Sequence, residues 1–441
     1  MNSRGWTLCV DFGTAFSKAA AAPADAWAHF DPTRVRPLLL GQAGARDAFL
    51  LDSAVFVDDA RLLFGGAALA RAEALGGKRA ALRSFKTILS VSDFDRALNA
   101  TLPASIDPHR VFVMRDLVVL YLAFLSEAID AGVRADAMLS AEAGFDRRYA
   151  APAWRRGDSA GLHNHVMRLF GEAEAVRQAL GGSLREGVDI GAAQAALARS
   201  RSAAPTAMGL IFEASAAAAY TSIGLAAAVP AMIVLDMGAG TTDIAVLARA
   251  GARTEELRDA QITLKQAGDY IDRVIANLTL DTARLKALED RSELWRLIIA
   301  QMRDFKETLF AEGRASIRFK NKALSLSIKD LERAPDFQAF RDELAQAYEQ
   351  ALETARRYAV TDGGREIQSV AVGGGAAAPF IQAMIRTKPR GKGNVKVSPR
   401  TATPDWAHAP TFSGNLAPVF PQLAIAIGGA LAPKEMLAAG V

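Results

Sequence analysis

Three short segments of the sequence, spread far apart along the chain, each join an apolar run to a glycine turn. They read WTLCVDFGTAFSK at 6–18, AMIVLDMGAGTTDIAVL at 231–247 and SVAVGGGAAAPFIQAMI at 369–385. A short run of β-branched and apolar residues that ends in glycine is typical of a buried strand entering a tight turn. Any fold of this chain therefore has to accommodate three buried strands with glycine turns at their ends.

The first two of these segments resemble each other. DFGT at Asp11–Thr14 and DMGAGT at Asp236–Thr241 both place an aspartate before a glycine and a threonine, and the second reads as if it had an added Gly-Ala-Gly step. The two aspartates are separated by 225 residues. Such a distance indicates two structurally similar halves rather than a short-period repeat. A chain of 441 residues is long enough for two domains or a large two-lobed fold.

Between these segments, the sequence predicts helices and two surface segments. Apolar residues recur at helical spacing over 116–129 and over 337–355, where Asp336 stands in the position of a helix cap. Residues 149–205 are expected to form a surface insertion, with short helices at about 164–180 and 192–199. Residues 386–400 are expected to form a solvated basic loop, since no aromatic residue is interleaved for base stacking.

The composition excludes several classes of protein. Apolar residues make up 51% of the chain and charged residues 23%, which excludes a disordered or fibrous chain. The formal net charge of +4 is too small to indicate a nucleic-acid partner. One cysteine, Cys9, can form no intrachain disulfide, and five histidines leave little material for a zinc site. These features fit a reducing cytoplasm.

No targeting or membrane segment is expected. Asp11 and Lys18 interrupt the first apolar run, where a signal peptide has an uninterrupted apolar core. The later apolar stretches at 214–235 and 416–432 are rich in alanine and contain prolines, so neither resembles a membrane span. We therefore expect a soluble cytoplasmic protein.

The glycine turns are suited to binding phosphate groups. Turns of glycine and small hydroxyl residues after a strand expose backbone N–H groups that can hold phosphate oxygens. Asp11 and Asp236 stand at the ends of two such strands, and carboxylates beside a phosphate site suit a hydrated Mg²⁺ ion. Together with the triple glycine at Gly373, Gly374 and Gly375, the pattern predicts a nucleotide bound with magnesium.

At these residues the sequence resembles the ATPase superfamily of actin, hexokinase and the seventy-kilodalton heat-shock chaperones. DFGT at Asp11–Thr14 is similar to its first phosphate motif, DMGAGTTD at Asp236–Asp243 to its second, and VGGGAAAPFI at Val372–Ile381 to its adenosine motif. The resemblance implies an α/β fold of two lobes, each a mixed sheet flanked by helices, with ATP or ADP in the central cleft. It places lobe I at 1–230, lobe II at 231–415 and a closing helix that returns to lobe I within 416–441.

Within the superfamily the resemblance is closest to the heat-shock chaperones, and it assigns catalytic roles. RSFKTIL contains Lys86 at the position of the catalytic lysine, and FEASAAAAY places Glu213 at that of the catalytic glutamate. Lys86 would balance charge on the γ-phosphate, while Glu213 and Asp236 would orient the attacking water. Asp11, Asp236 and Asp243 would hold water molecules around magnesium.

The same resemblance assigns nucleotide contacts along the whole chain. QAGDYID resembles a chaperone stretch that contains Gly268, and MRDFKETL resembles the nucleotide-contacting helix, with Lys306 at its lysine position. The implied nucleotide-binding residues are Gly13, Thr14, Lys18, Gly238, Gly240, Thr241, Thr242, Gly268, Lys306, Gly373, Gly374 and Gly375.

Two features leave the function open between alternatives. Lys18 stands where actin and some bacterial filament proteins carry a phosphate-contacting lysine. Arg303, Phe310, Ala377 and Gln422 depart from the chaperone pattern around the adenosine. A low nucleotide affinity, a differently held base and a preference for another nucleotide all stay open.

We expect a chaperone-like ATPase module that binds and slowly hydrolyses ATP with Mg²⁺ and whose lobe closure a protein partner reads. After PQLAIAIGGALA at 421–432 we expect no substrate-binding domain of the chaperone kind. An actin-like filament protein, a nucleotide-sensing scaffold and a small-molecule kinase of the same superfamily are the alternatives.

Overall fold

The structure is a computed structural model that describes residues 5–42, 47–76, 78–90, 93–152, 159–223, 229–250, 253–389, 395–409 and 416–437. Its strands are β1 (Trp6–Asp11), β2 (Phe16–Pro23), β3 (Arg36–Pro37), β4 (Leu51–Asp52), β5 (Ala54–Val57), β6 (Arg61–Phe64), β7 (Leu82–Arg83), β8 (Phe145–Ala151), β9 (Val188–Asp189), β10 (Gly209–Phe212), β11 (Ala231–Met237), β12 (Thr242–Ala250), β13 (Arg253–Glu256), β14 (Ile262–Leu264), β15 (Arg314–Phe319), β16 (Lys322–Ser327), β17 (Glu366–Val372) and β18 (Lys396–Arg400).

The helices lie between and after these strands. They are α1 (Gly66–Ala74), α2 (Phe94–Leu98), α3 (Met114–Ala135), α4 (Ser159–Leu180), α5 (Ile190–Ser200), α6 (Glu213–Ser222), α7 (Gly268–Ala283), α8 (Leu288–Glu312), α9 (Ile328–Arg333), α10 (Pro335–Thr361), α11 (Pro379–Met384) and α12 (Phe420–Leu431). A 3-10 helix at Phe85–Ser90 is important for the site. The chain is an α/β protein with mixed sheets flanked by helices, as predicted.

Two of the sheets share one topology. Sheet I has the order β10-β8-β1-β2-β3 and sheet II the order β18-β17-β11-β12-β13. In both sheets, two consecutive strands form an antiparallel hairpin (β1–β2 and β11–β12), and a third strand pairs antiparallel with the second strand of the hairpin. On the other side, two further strands run parallel to the first strand of the hairpin. A short extra strand pairs with the beginning of the second hairpin strand in each sheet, β4 in sheet I and β14 in sheet II. The two halves of the described chain therefore repeat one arrangement.

The hairpins that begin the two sheets match residue by residue. Asp11 pairs with Lys18 across the first hairpin, and Asp236 pairs with Asp243 across the second. The offset of 225 residues that relates the aspartates also relates their partners. The hairpin turns therefore have the same length, and the expectation of an added step in the second motif is wrong.

The central strands are buried on both faces, which explains their nearly continuous apolar sequence. In β1, Leu8 and Val10 face a core shared with α3 and α4, while Cys9 between them faces the opposite side. In β11, Ile233 faces a core shared with α10, and Val234 faces the opposite side. The inner faces of both sheets meet in one core that also contains α6 and α12.

Helix α12 packs on β1, β2 and α6. Two consecutive glycines allow this close approach. A Cβ atom on Gly428 would lie 1.9 Å from the carbonyl oxygen of Ala216, and one on Gly429 would lie 2.3 Å from Cys9 Sγ. The crossing of α6 and α12 thus joins the two sheets through backbone contact.

Three local expectations need correction. Helix α10 begins at Pro335 with Ala334 as its cap, so Asp336 lies in the first turn instead. The described part of 149–205 is not a surface segment, because the apolar face of α4 packs on α3 in the core; residues 153–158 lie outside the described residues. Part of 386–400 forms the strand β18 rather than a loop, and 390–394 also lie outside the described residues.

No helix in the described ranges combines the length and the apolar character that are needed to cross a bilayer.

Candidate functional site

The turns of the two hairpins meet at the place where the two sheets face each other. A Cβ atom on Gly240 of the second turn would lie 3.3 Å from the Cγ2 atoms of both Thr14 and Thr87. Thr14 belongs to the first turn, and Thr87 follows Lys86 in the 3-10 helix. The first turn, the second turn and the lysine segment, which are far apart in sequence, therefore come together.

The third glycine turn lies against the second aspartate. Gly373 has a φ of +83°, and an added Cβ would lie 2.3 Å from Asp236 Oδ1. The Gly375 N–H donates to the carbonyl oxygen of Met237 at 2.9 Å. Only glycine combines this backbone conformation with so close an approach at position 373. For Gly374, no atom lies within 4 Å of an added Cβ, so this position faces open space.

Lys86 is held over the first turn by a strained segment. Ser84, two residues before Lys86, has a φ of +56°, which is uncommon for a residue other than glycine and is typical of functional sites. The Lys86 ammonium donates to Glu213 Oε1 and lies 3.4 Å from Asp11 Oδ1. Glu213 is buried and is the first residue of α6, directly after β10.

The first hairpin carries a second lysine. Lys18 Nζ lies 2.6 Å from Asp11 Oδ2, so the buried Asp11 carboxylate is placed between two ammonium groups. Burial opposes ionisation of Asp11, but Lys18 and Lys86 outweigh it and lower the pKa of this carboxyl. Burial likewise opposes the charge of Lys86, but the carboxylates of Glu213 and Asp11 outweigh it and raise the Lys86 pKa. The first turn therefore presents two ammonium groups beside one carboxylate.

The second hairpin has the opposite electrostatics. Burial, reinforced by the nearby Glu213 and Asp243 carboxylates, raises the pKa of Asp236 to about 8. Burial also raises the pKa of Asp243, although Thr263 Oγ1 and Thr241 Oγ1 donate to this carboxyl at 2.5 and 3.0 Å. Because Asp243 replaces the lysine of the first hairpin, two carboxyls face each other, and the positive charge of Lys86 only partly offsets the effect of burial on them.

Other predicted contact residues have partners within the protein. The Thr242 hydroxyl is buried and donates to the carbonyl oxygen of Gln266 at 2.8 Å. The Gly268 N–H, at the start of α7, donates to the Gly238 carbonyl oxygen at 3.1 Å. Lys306 lies beside Gly268, and its ammonium pairs with Asp272 at 2.6 Å. These residues support the second turn, and they leave Thr241 as the threonine at its tip.

One carboxyl of the site has no signal in the sequence. Glu256, the last residue of β13, accepts a hydrogen bond from Ser215 Oγ at 3.3 Å, and its Oε1 is buried without a hydrogen-bond partner. Burial raises the Glu256 pKa to about 7. Glu256 lines a small pocket together with Glu213, Asp236 and Asp243. The surrounding TEEL sequence marks no turn or motif, so only the pairing of β13 with β12 places it there.

The residues that depart from the chaperone pattern form their own contacts. Arg303 Nε donates to Glu307 Oε1 at 2.9 Å, and its guanidinium lies 5.1 Å from the centre of the Phe16 ring. The Phe310 ring faces that of Phe380, with 6.1 Å between the centres. Gln422 Oε1 is buried without a hydrogen-bond partner, next to the Pro421 carbonyl that accepts from the Gly373 N–H.

The carboxyls of the site suit a hydrated cation. Five of them, Asp11, Glu213, Asp236, Asp243 and Glu256, lie in the same region as two lysines, so carboxyl groups outnumber ammonium groups, and a bound cation would favour their ionised forms. Over the described ranges, no three histidine, cysteine, aspartate or glutamate side chains lie close enough together to ligate a metal directly. Mg²⁺ usually keeps several of its waters and needs few protein ligands. The donor set therefore fits magnesium held through water.

No protein-family model matches this chain, and no curated protein matches it. The geometry and chemistry of the site therefore carry the functional argument.

Proposed function

We propose that this chain is a chaperone-like ATPase module that binds and slowly hydrolyses ATP with Mg²⁺. The observation that carries the proposal is the ion-pair network of Lys18, Asp11, Lys86 and Glu213 at the meeting point of the two hairpin turns. Its members come from separate segments, and a glycine turn completes the cluster beside Asp236. Ammonium groups, exposed backbone turns and adjacent carboxylates are what phosphoryl transfer to water requires.

The proposal includes the two-lobed actin-like fold. The common strand order of sheets I and II supports two equivalent lobes, and the core between them contains α6 and α12. Packing of two helices between two sheets permits small rotations that change the angle of the cleft. In this proposal the bound nucleotide sets that angle, and a protein partner reads it.

The residues of the chain have distinct roles in this reaction. Lys86 neutralises charge on the terminal phosphate and, through its contact with Glu213, positions that carboxylate to orient water. Lys18 contacts phosphate oxygens from the first turn, and the N–H groups of Gly13 and Gly240 face them. Magnesium, when bound, supplies neutralisation of the phosphate charge, and Asp11, Asp236 and Asp243 hold its waters.

Substitution of Lys86 and Glu213 tests the enzymatic part of the proposal. Lys86→Ala and Glu213→Ala are each expected to lower ATP turnover by at least about tenfold, because each removes a group that acts on the terminal phosphate or the water. Turnover is measured by phosphate release, and calorimetry with Mg·ATP measures binding separately. Lys322→Ala, at an exposed lysine of the β15–β16 hairpin, is the matched control.

The possible outcomes separate the candidate functions. Unchanged turnover in both site variants would overturn the chaperone-type assignment. Binding of Mg·ATP by the wild-type chain without turnover would favour the nucleotide-sensing scaffold.

A filament protein is the second candidate, because Lys18 does contact Asp11 at the first turn. Sedimentation at rising protein concentration, with and without ATP, tests it. We expect the chain to stay in the supernatant; pelleting that depends on ATP would favour the filament.

A further inference from the structure

The outer wall of the cleft continues from the glycine turns along α8. Lys306 lies where α8 meets the second turn, since its Nζ is 3.5 Å from the position of a Cβ atom on Gly268. One helical turn further along α8, Phe310 faces Phe380 of α11, which follows the third glycine turn. A ligand whose phosphates occupy the turns and which extends along α8 would therefore meet this wall with its other end.

This wall is aromatic and apolar at its far end. Phe310 and Phe380 are each only partly buried, so part of each residue stays exposed to solvent. Phe380 is held from behind by Phe337 and Phe340, with ring centres at 5.5 and 6.2 Å. Ala377, in the turn before α11, adds no polar group. A supported aromatic face of this kind can stack on a planar ring, whichever base that ring belongs to.

The polar side chains along the same wall are engaged by the protein itself. Lys306 pairs with Asp272, and Arg303 with Glu307 and the Phe16 ring. Further along, Gln382 Nε2 donates to the Ala376 carbonyl oxygen at 2.7 Å, and Gln382 Oε1 accepts from Arg386 at 3.3 Å.

The inner end of the cleft contrasts with this wall. Lys18 and Lys86 lie there, both within reach of Asp11, together with the glycine turns. Charge and directional groups are therefore concentrated where phosphates would lie, and aromatic surface where a base would lie.

We infer that the site selects the magnesium triphosphate group and does not read the base, so that its ligands are nucleoside triphosphates as a class. The inference rests on the proposed function and specifies its substrate. A site that hydrogen-bonds one substrate rejects an analogue by about 10⁴-fold or more, whereas an apolar surface discriminates far less. Stacking on Phe310 adds affinity for every base alike.

Competition binding tests the inference on the full-length chain. ATP, GTP, CTP and inorganic tripolyphosphate, each in excess Mg²⁺, displace a fluorescent ATP analogue. The three nucleotides are expected to have Kd values within about tenfold of one another. Tripolyphosphate is expected to bind more weakly than all three, by the about five- to hundredfold that base stacking contributes.

Phe310→Leu provides the matched variant, because leucine keeps the apolar packing against Phe380 and removes the aromatic face. The variant is expected to bind all three nucleotides about fivefold or more weakly and to bind tripolyphosphate with unchanged affinity. Unchanged tripolyphosphate binding also demonstrates that the phosphate end is intact in the variant.

Each other result overturns a defined part of the account. A preference of more than about tenfold for one base refutes the inference and leaves the ATPase proposal standing. Nucleotide affinities unchanged by Phe310→Leu, or a loss of tripolyphosphate binding as well, refute the role of Phe310. Failure of all four ligands to bind refutes the proposed function together with the inference.

Discussion

At the scale of single residues, the two hairpins differ most at one equivalent position. Lys18 pairs with Asp11 in the first hairpin, and Asp243 occupies its place opposite Asp236 in the second. The same fold element therefore carries a carboxylate between two ammonium groups in one half and a pair of carboxyls that Lys86 only partly compensates in the other. This difference explains why the pKa of Asp11 is lowered and that of Asp236 is raised.

The raised pKa of Asp236 has a consequence for stability. Between the ordinary pKa of 3.8 and the folded value of about 8, the folded chain holds the Asp236 proton more tightly than the unfolded chain. Ionisation of Asp236 therefore destabilises the fold as pH rises through this window. Asp236→Asn is expected to stabilise the ligand-free chain by about 1–3 kcal/mol at pH 8 and much less at pH 5, while it abolishes turnover.

Urea unfolding at both pH values, with a chelator present, measures this effect. Asp11→Asn is the matched control, and its expected effect on the free energy of unfolding has the opposite sign. Because Asp11 lies between two ammonium groups, its neutralisation is expected to cost about 3–5 kcal/mol at pH 8. Equal effects of the two substitutions would contradict the electrostatic difference between the hairpins.

At the scale of elements, the crossing of α6 and α12 depends on glycine. The carbonyl oxygen of Ala216 would lie 1.9 Å from a Cβ on Gly428. Helix propensity alone favours alanine over glycine by about 1 kcal/mol. We expect the clash to outweigh this gain, so that Gly428→Ala lowers the free energy of unfolding by about 1–3 kcal/mol.

The midpoint of urea unfolding measures the cost, and Gly161→Ala in α4 is the control. No atom lies within 4 Å of a Cβ on Gly161, so this change is expected to be neutral or to stabilise by up to about 1 kcal/mol. If Gly428→Ala also stabilised the chain, the close contact between α6 and α12 would be wrong.

The sequence predicted several elements well and others badly, for physical reasons. The apolar stripe at 116–129 lies within α3, because helical periodicity is a local property. The predicted helix cap at Asp336 is wrong, because Pro335 occupies the first helical position and Ala334 is therefore the cap residue. Residues 149–205 were placed at the surface because their composition does not reveal that α4 packs on α3.

At the scale of the whole molecule, helix α8 connects the second half of the chain to the first. Arg296 Nη1 donates to the Gly76 carbonyl oxygen at 2.6 Å, and the Arg303 guanidinium lies over the Phe16 ring. In the proposed two-lobed fold, both contacts bridge the two lobes at the outer opening of the cleft. In the proposed function a nucleotide has to pass this opening, so the contacts act against its entry and release.

Combined substitution of Arg296→Ala and Arg303→Ala is therefore expected to speed nucleotide release by about fivefold or more, since each contact contributes about 0.5–1.5 kcal/mol. Stopped-flow release of a fluorescent nucleotide measures the rate. Arg314→Ala with Arg318→Ala, at exposed positions of β15, removes the same charge elsewhere on this half. An equal acceleration in both double variants would assign the effect to net charge rather than to the two contacts.

The sequence by itself determined the three glycine turns, the repeat of 225 residues and most of the residues that meet at the site. These follow from local patterns, because a turn or a buried strand is encoded within a few neighbouring residues. Only the tertiary structure decided that Thr242 points away from the tip of its turn, that Glu256 joins the site and that the Arg303 guanidinium lies over the Phe16 ring. Each of these depends on a partner from another element, and no local pattern specifies which distant side chain a polar group will meet.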